Sequence, residues 1–234
     1  MDIVKKIRMQ AKANPRVIAL PEIEDERVRE AARIIKEEAI AEVILLGKGN
    51  LDKAKQKEYS RIYYDLRKIK GITEEEAQKV LEDPLYYAAI MTHKGDAAGF
   101  VAGASHTTPD VARAAIQCLG VDEEISVASS CFIMKVPDCP YGEEGSFIFA
   151  DCGIIPDPTA RQLACIAVAN AKLARKIFAT TPKVALLSYS TKGSAKGRNI
   201  DKIVEALRLA REMQPELLID GELQVDSAIV PEVA

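Results

Sequence analysis

The stretch VALLSYSTKGSAKGRNIDKIVEAL, residues 184–207, decides the fold class. An apolar run, 184–187, passes through a polar loop into Ile200, Ile203, Val204 and Leu207, which recur at the i, i+3, i+4, i+7 spacing of one helix face. Strand, loop and helix in that order are the unit of parallel α/β sheets. Within the loop, Ser188, Ser190, Thr191 and Ser194 supply hydroxyls and Lys192 and Lys196 supply charge. Gly193 and Gly197 let backbone N–H groups converge at a helix start, so the segment reads as an anion site. The same composition also describes an ordinary solvated loop, and spacing alone does not separate the two. It is not a Walker A loop, and the chain has no G-x-G-x-x-G, so nucleotide hydrolysis loses its usual support.

Outward from that unit, β-branched or apolar runs at 17–20, 43–46, 99–102, 125–134 and 147–150 alternate with helical stripes, as a parallel α/β architecture requires. Residues 1–12 predict an amphipathic helix and 25–40 a second one. The T-x-x-E of Thr73 and Glu76 predicts a capping box opening a helix over 73–81. Asp157 and Pro158 read as an N-cap and first-turn proline of a long helix whose alanine-rich part, 163–174, suits close packing on a sheet or another subunit. Between apolar strands lies PDCPYGEEG, 137–145, either a long hairpin loop or a domain crossover. No internal repeat interrupts this pattern.

At 234 residues, with 48% hydrophobic and 29% charged residues, the chain can bury a large core in one big α/β unit or two smaller ones. Its net charge of -3 leaves no global basic field for nucleic acid or an anionic membrane, so anion recognition must be local. No apolar run approaches the roughly 20 residues of a spanning helix and no signal peptide is read at the start, which places the protein in the cytoplasm. Cys118, Cys131, Cys139, Cys152 and Cys165 are widely spaced without a C-x-x-C pair and read as packed thiols in a reducing compartment. With His93 and His106 as the only histidines, no metal site is expected.

Four segments hold residues able to do chemistry. Besides the 188–198 loop, GASHTTPDVARAAIQCLG (103–120) ends a strand and begins a helix near Thr108-Pro109. Arg113, one turn in, has the fork to grip a phosphate, although its position alone favours a surface pair with Asp110. His106 is a possible general acid or base, but a lone loop histidine more often caps a helix or meets solvent. In SVASSCFIMKV (126–136), Ser129 and Ser130 break an apolar strand and offer hydroxyls either to a phosphoryl group or to a bulge. In FADCGIIPDPTA (149–160), Cys152 lacks an adjacent base and reads as a packed thiol.

Together these segments resemble the phosphate acetyltransferase and phosphate butyryltransferase family, the acetyltransferases most closely. The resemblance rests on residues 82–115 (EDPLYYAAIMTHKGDAAGFVAGASHTTPDVARAA), FADC…PTA at 149–160, STKGSAK at 190–196 and DGELQ-x-D-x-A-x-VPEVA at 220–234. Ala97, Ala98 and Phe100 loosen one motif, Ala114 stands where the family has proline, and Val127 where many members have arginine.

The resemblance implies two three-layer α/β/α domains with mainly parallel sheets and a cleft between them, divided as 1–137 and 138–234, with 137–145 as the crossover. It implies acetyl transfer between acetyl phosphate and coenzyme A, both acting as substrates, with no metal and no permanently bound cofactor. Substrate-binding roles fall by resemblance to Arg113, Ser129, Ser130, Thr191, Lys192, Gly193 and Ser194, and the family's presumed base falls beyond Ala234, in a carboxyl-terminal segment this chain lacks. A homodimer through the second domain is implied as well. Three alternatives stay open: a phosphate butyryltransferase, a hydroxy-acid dehydrogenase relative, for which the glycine fingerprint and histidines are wanting, and a shortened paralogue that binds coenzyme A without turnover.

Overall fold

The structure is a computed structural model describing residues 3–234. It divides into one compact unit ending at Gly120 and a second running from Val121 to Ala234.

In the first unit, α1 (Ile3–Ala13) precedes β1 (Val17–Leu20), α2 (Glu26–Glu37), β2 (Glu42–Leu45), α3 (Lys53–Arg67), α4 (Glu74–Val80), α5 (Pro84–Lys94), β3 (Gly99–Phe100) and α6 (Thr108–Leu119). The helix expected over 1–12 is α1, residues 1 and 2 lying outside the described ones. All strands are parallel in the order β2-β1-β3, with Val17 opposite Glu42 and Ile18 opposite Gly99. The Thr73–Glu76 capping box forms as its spacing predicts, each side chain bonding the other's backbone N–H. Helix α5 is apolar almost all round and accordingly buried, with Ala88, Ala89 and Ile90 fully excluded from solvent. Three tyrosines complete this core. Tyr59 stacks against Tyr87 at 4.8 Å and donates to Asp96, while Tyr63 donates to Gln117 at 2.8 Å, so the buried hydroxyls of Tyr59 and Tyr63 each have a partner.

The second unit holds β4 (Cys131–Lys135), β5 (Ser146–Ala150), α7 (Ala160–Phe178), β6 (Lys183–Leu187), α8 (Arg198–Met213), β7 (Leu218–Leu223) and α9 (Val225–Ile229). Strands β6 and β7 pair in parallel and carry the strand–loop–helix unit read from residues 184–207. Ala164, Ala167, Val168 and Ala171 of α7 form a stripe that packs with Ala206, Leu207 and Ala210 of α8 over Leu186 and Ile219. Small side chains on both helices permit that close approach. Gly221 serves the same end in the sheet, since a Cβ there would meet the Leu186 Cβ at 2.8 Å.

Three sequence expectations are corrected. The 137–145 stretch is a hairpin turn rather than a crossover: β4 and β5 are antiparallel, Lys135 faces Ser146, and Val136 donates to the Gly145 carbonyl. Gly145 is left-handed at φ +79, and a side chain there would strike the Val136 carbonyl, so the turn depends on glycine. The hairpin lies wholly within the second compact unit, which begins at Val121. Second, α7 is capped by Thr159, not Asp157: Gln162 reciprocates the Thr159 bond, and Asp157 instead pairs with Lys202 at 2.7 Å. Third, the strand expected over 125–134 begins only at Cys131, because Asp122 accepts the N–H groups of Glu124 and Ile125 and turns the chain before it.

Truncating Leu186, which is 5% exposed in the α7–α8 core, should cost about 2–5 kcal/mol. Urea denaturation of Leu186→Ala followed by circular dichroism measures it, and a loss under about 1 kcal/mol would show that this core is loosely packed.

Candidate active site

Each loop that reads as an anion cradle in the sequence already holds a carboxylate of the chain itself. Glu22 follows β1 and is 3% exposed. One of its oxygens accepts from the backbone N–H of Gly103 and Ala104, each at 2.9 Å, and the other from Ser105 N–H, His106 N–H and the Ser105 hydroxyl. The His106 ring adds Nδ1 at 2.8 Å. Burial alone would raise the Glu22 pKa, but the N–H groups of Ser105, Ala104 and His106 outweigh it and bring it down to about 2.

Asp151, past the end of β5, does the same in the second unit. It accepts from Gly153 N–H at 2.7 Å, Ile154 N–H at 2.9 Å, and both the N–H and hydroxyl of Ser130. Against the upward push of burial, these donors hold Asp151 at about 2. Ser129 accepts from Asn170 at 3.3 Å, and the half-buried Cys152 donates to Ser130 at 3.4 Å, consistent with a packed thiol.

The 188–198 loop closes on Glu222 of β7. Gly193 N–H reaches its carboxylate at 2.6 Å and the fully buried Ser190 hydroxyl at 3.2 Å, while Lys192 N–H donates to its carbonyl. The Gly193 bond is the foremost cause holding Glu222 below the usual carboxylate range. Thr191 N–H and Ser194 Oγ pair within the loop, Thr191 Oγ1 receives Gln224 N–H, and the Lys192 ammonium meets Asp220 at 2.5 Å. Convergent amides are therefore present as the glycine spacing predicts, but their anion is internal.

Arg113 lies on α6 with one bond to Asp110 at 3.1 Å, both side chains about half exposed. Nearby, the first unit has an open cleft of about 680 Å³ whose lining includes Arg67, Lys70, Lys79, Asp83, Tyr63 and Tyr86. The Tyr63 and Tyr86 rings meet edge-on at 5.8 Å, with Arg67 acting electrostatically on Tyr63 and Arg113 on Tyr86. Among the described residues no carboxylate pairs with Arg67. In the sequence Arg67 carries no signal, since nothing in its helical surroundings marks it. Its place in the cleft beside Tyr63 and Tyr86 exists only once α3 and α5 pack. Among the described residues, no group of three or more His, Cys, Asp or Glu is placed to hold a metal ion, and no helix is long and apolar enough to cross a membrane.

The profile of the phosphate acetyl/butaryl transferase family matches residues 2–234. The chain belongs to that family. A phosphate acetyltransferase of Acetivibrio thermocellus is 42% identical over 253 residues, covering 100% of this chain and 76% of the relative. One from Clostridium acetobutylicum is 41% identical, with 100% and 77% covered. Among solved structures, a phosphotransacetylase from Streptococcus pyogenes superposes with a TM-score of 0.89 at 34% identity, covering 98% of this chain and 74% of that one. The EutD phosphotransacetylase from Staphylococcus aureus gives 0.84 at 36% identity, covering 99% and 76%. The α/β fold with mainly parallel sheets is thus that of the acetyl/butaryl transferase family.

The depressed Glu22 pKa makes the 103–106 turn acid-labile. Its folded value of about 2 lies below the ordinary 4.5, so Glu22 contributes stability that is complete above that ordinary value and is lost as pH falls toward 2. The contribution is on the order of 3 kcal/mol. Urea unfolding at neutral pH and near pH 3 should show wild type losing more stability than Glu22→Gln, and equal losses would remove the carboxylate from that role.

Proposed function

We infer that the protein is a phosphate acetyltransferase, moving an acetyl group reversibly between acetyl phosphate and coenzyme A. The observation that carries this reading is similarity, across the whole of this chain and 76–77% of the relatives, to phosphate acetyltransferases at 40–42% identity. Arg67 in the cleft, and Arg113 acting on the Tyr86 that lines it, support this reading chemically. In this reaction the coenzyme A thiol attacks the acyl carbonyl and phosphate leaves, so a site must offer a proton acceptor, donors for the carbonyl oxygen and cations for phosphate. Two guanidinium groups suit a phosphate dianion, each with planar donors able to bind two oxygens. The single exposed bond from Arg113 to Asp110 is weak and exchanges readily for such a ligand.

On the second unit, we assign substrate contacts to Ser129, Ser130 and the loop Thr191, Lys192, Gly193 and Ser194. Because Asp151 and Glu222 hold the backbone donors there, contact runs through the Lys192 ammonium and the hydroxyls, with Gly193 shaping the turn. Coenzyme A and acetyl phosphate come and go as substrates, and no cofactor stays bound.

A homodimer through the second unit completes the reading. The β4–β5 ribbon pairs with no third strand among the described residues and exposes Phe132 (58%) and Phe149 (50%) together with Ile133, Met134 and Val136. Such a ribbon is marginal alone and its apolar surface calls for a cover. Sedimentation should give a dimer for the chain and a monomer for Phe132→Glu/Phe149→Glu. A wild-type monomer, or a dimer unaffected by the double change, removes the ribbon from the interface.

The decisive assay is thioester absorbance with acetyl phosphate, coenzyme A and the 234-residue chain. Product should form, faster than with butyryl phosphate. Arg113→Ala and Arg67→Ala should each lower kcat/KM about 10- to 100-fold, the roughly 1.5–3 kcal/mol of a charged hydrogen bond. Saturable coenzyme A binding by a folded chain with no thioester formed would instead support a non-catalytic protein.

A further inference from the structure

Lys192 is held in a way that its place in an exposed loop does not require. Its backbone is left-handed at φ +48, a conformation that glycine or asparagine adopts at lower cost than a long side chain. The 191–194 turn imposes it, with Ser194 N–H on the Thr191 carbonyl and Lys192 N–H on that of Glu222. The side chain then folds against β7. Its ammonium donates to Asp220 Oδ1 at 2.5 Å and to the Gly221 carbonyl at 3.1 Å. An ammonium has three protons to donate, and two fixed acceptors set the direction of the third. The Lys192 and Asp220 side chains are about half exposed, so their pair adds little to stability and does not offset the strained backbone. Strain that packing does not offset points to a task beyond folding.

Asp220 holds that ammonium without cancelling it. Three donors share its Oδ1: Lys192, the Gly221 N–H at 2.9 Å and Arg211 at 3.3 Å. Arg211, in the last turn of α8, is itself tied to the Ile219 carbonyl at 3.1 Å. Two cations therefore flank one carboxylate, and the trio keeps a net positive charge. Glu222, the other acid near Lys192, already takes Gly193 N–H and the Ser190 hydroxyl. The Lys192 bond is also the foremost cause holding the Asp220 carboxyl below its ordinary range, which keeps it ionised. We propose that Asp220, braced by Arg211, is a positioning residue that aims the third Lys192 N–H at a phosphoryl oxygen of the substrate, a role that rests on the substrate contact assigned to Lys192 above. Asp220 itself touches no reacting atom and acts through the ammonium. A phosphoryl oxygen is the acceptor that forms the strongest bond with such a donor.

The test is a double-mutant cycle between Lys192→Ala and Asp220→Ala in the 234-residue chain, with circular dichroism as the folding control. Calorimetry with coenzyme A and with inorganic phosphate reads binding without turnover, and the thioester assay reads kcat and KM. Lys192→Ala should weaken one of the two probes roughly 10- to 100-fold. Asp220→Ala should weaken the same probe about 5- to 50-fold and raise the corresponding KM, with kcat within about threefold of wild type. The double variant should bind within about threefold of Lys192→Ala alone, because an unaimed ammonium and an absent one are alike. Effects that multiply in the double variant overturn the proposal, since they mark two independent residues. Asp220→Asn still accepts the Gly221 N–H and covers a folding failure of the alanine variant. It should lose at least about threefold in binding, and wild-type affinity in it overturns positioning by charge. The two readings fail separately. Weakened binding in Lys192→Ala with an unaltered Asp220→Ala overturns the positioning role alone. Wild-type binding of both probes by Lys192→Ala, or a wild type that binds neither, removes the Lys192 contact and the proposal with it.

Discussion

Three carboxylates set against backbone N–H groups, Glu22 and Glu222 buried and Asp151 half-buried, hold the loops of this protein in place. Loops at the carboxyl ends of strands leave amides without sheet or helix partners, and burying such groups unpaired costs kilocalories each. Here Glu22, Asp151 and Glu222 supply the missing acceptors, one after β1, one after β5 and one within β7. Each is drawn from a strand neighbouring the loop it fills, so forming the sheet and ordering the loop are one event. Their lowered pKa values record the same fact from the carboxylate's side: ionised, they are worth more in these nests than in water.

That arrangement leaves the converging amides of these loops occupied. A loop whose amides converge on an internal carboxylate repels a phosphate dianion from the same donors. In the first unit the guanidinium groups of Arg67 and Arg113 act on Tyr63 and Tyr86 outside these nests. The nest around Glu22 has a further consequence. It holds the turn before α6, which carries Arg113, and the ring of His106, so a single buried charge positions both.

Much of the architecture was legible because local signals were strong. The stripe Ile200, Ile203, Val204, Leu207 became α8, and the Thr73–Glu76 box capped α4 as its spacing demands. Where local signals competed, the pattern misled: Asp157-Pro158 is a plausible start, but Thr159, one residue further on, found a reciprocal partner in Gln162. PDCPYGEEG has the chemistry of a turn and carries no information on how the strand beyond it pairs. Only the antiparallel register of β4 with β5 makes it a hairpin.

By itself the sequence determined the α/β class, the helix faces, the family and the presence of amide-rich loops, since these depend on residues close in the chain. The tertiary structure alone decided what those loops hold and that Arg67 lines a cleft with Tyr63 and Tyr86. Glu22 is 84 residues from His106 and Glu222 is 29 from Gly193, separations at which only packing brings groups together. The chain's local chemistry specifies donors; the fold chooses the acceptors, because burial makes an unpaired one too costly to leave.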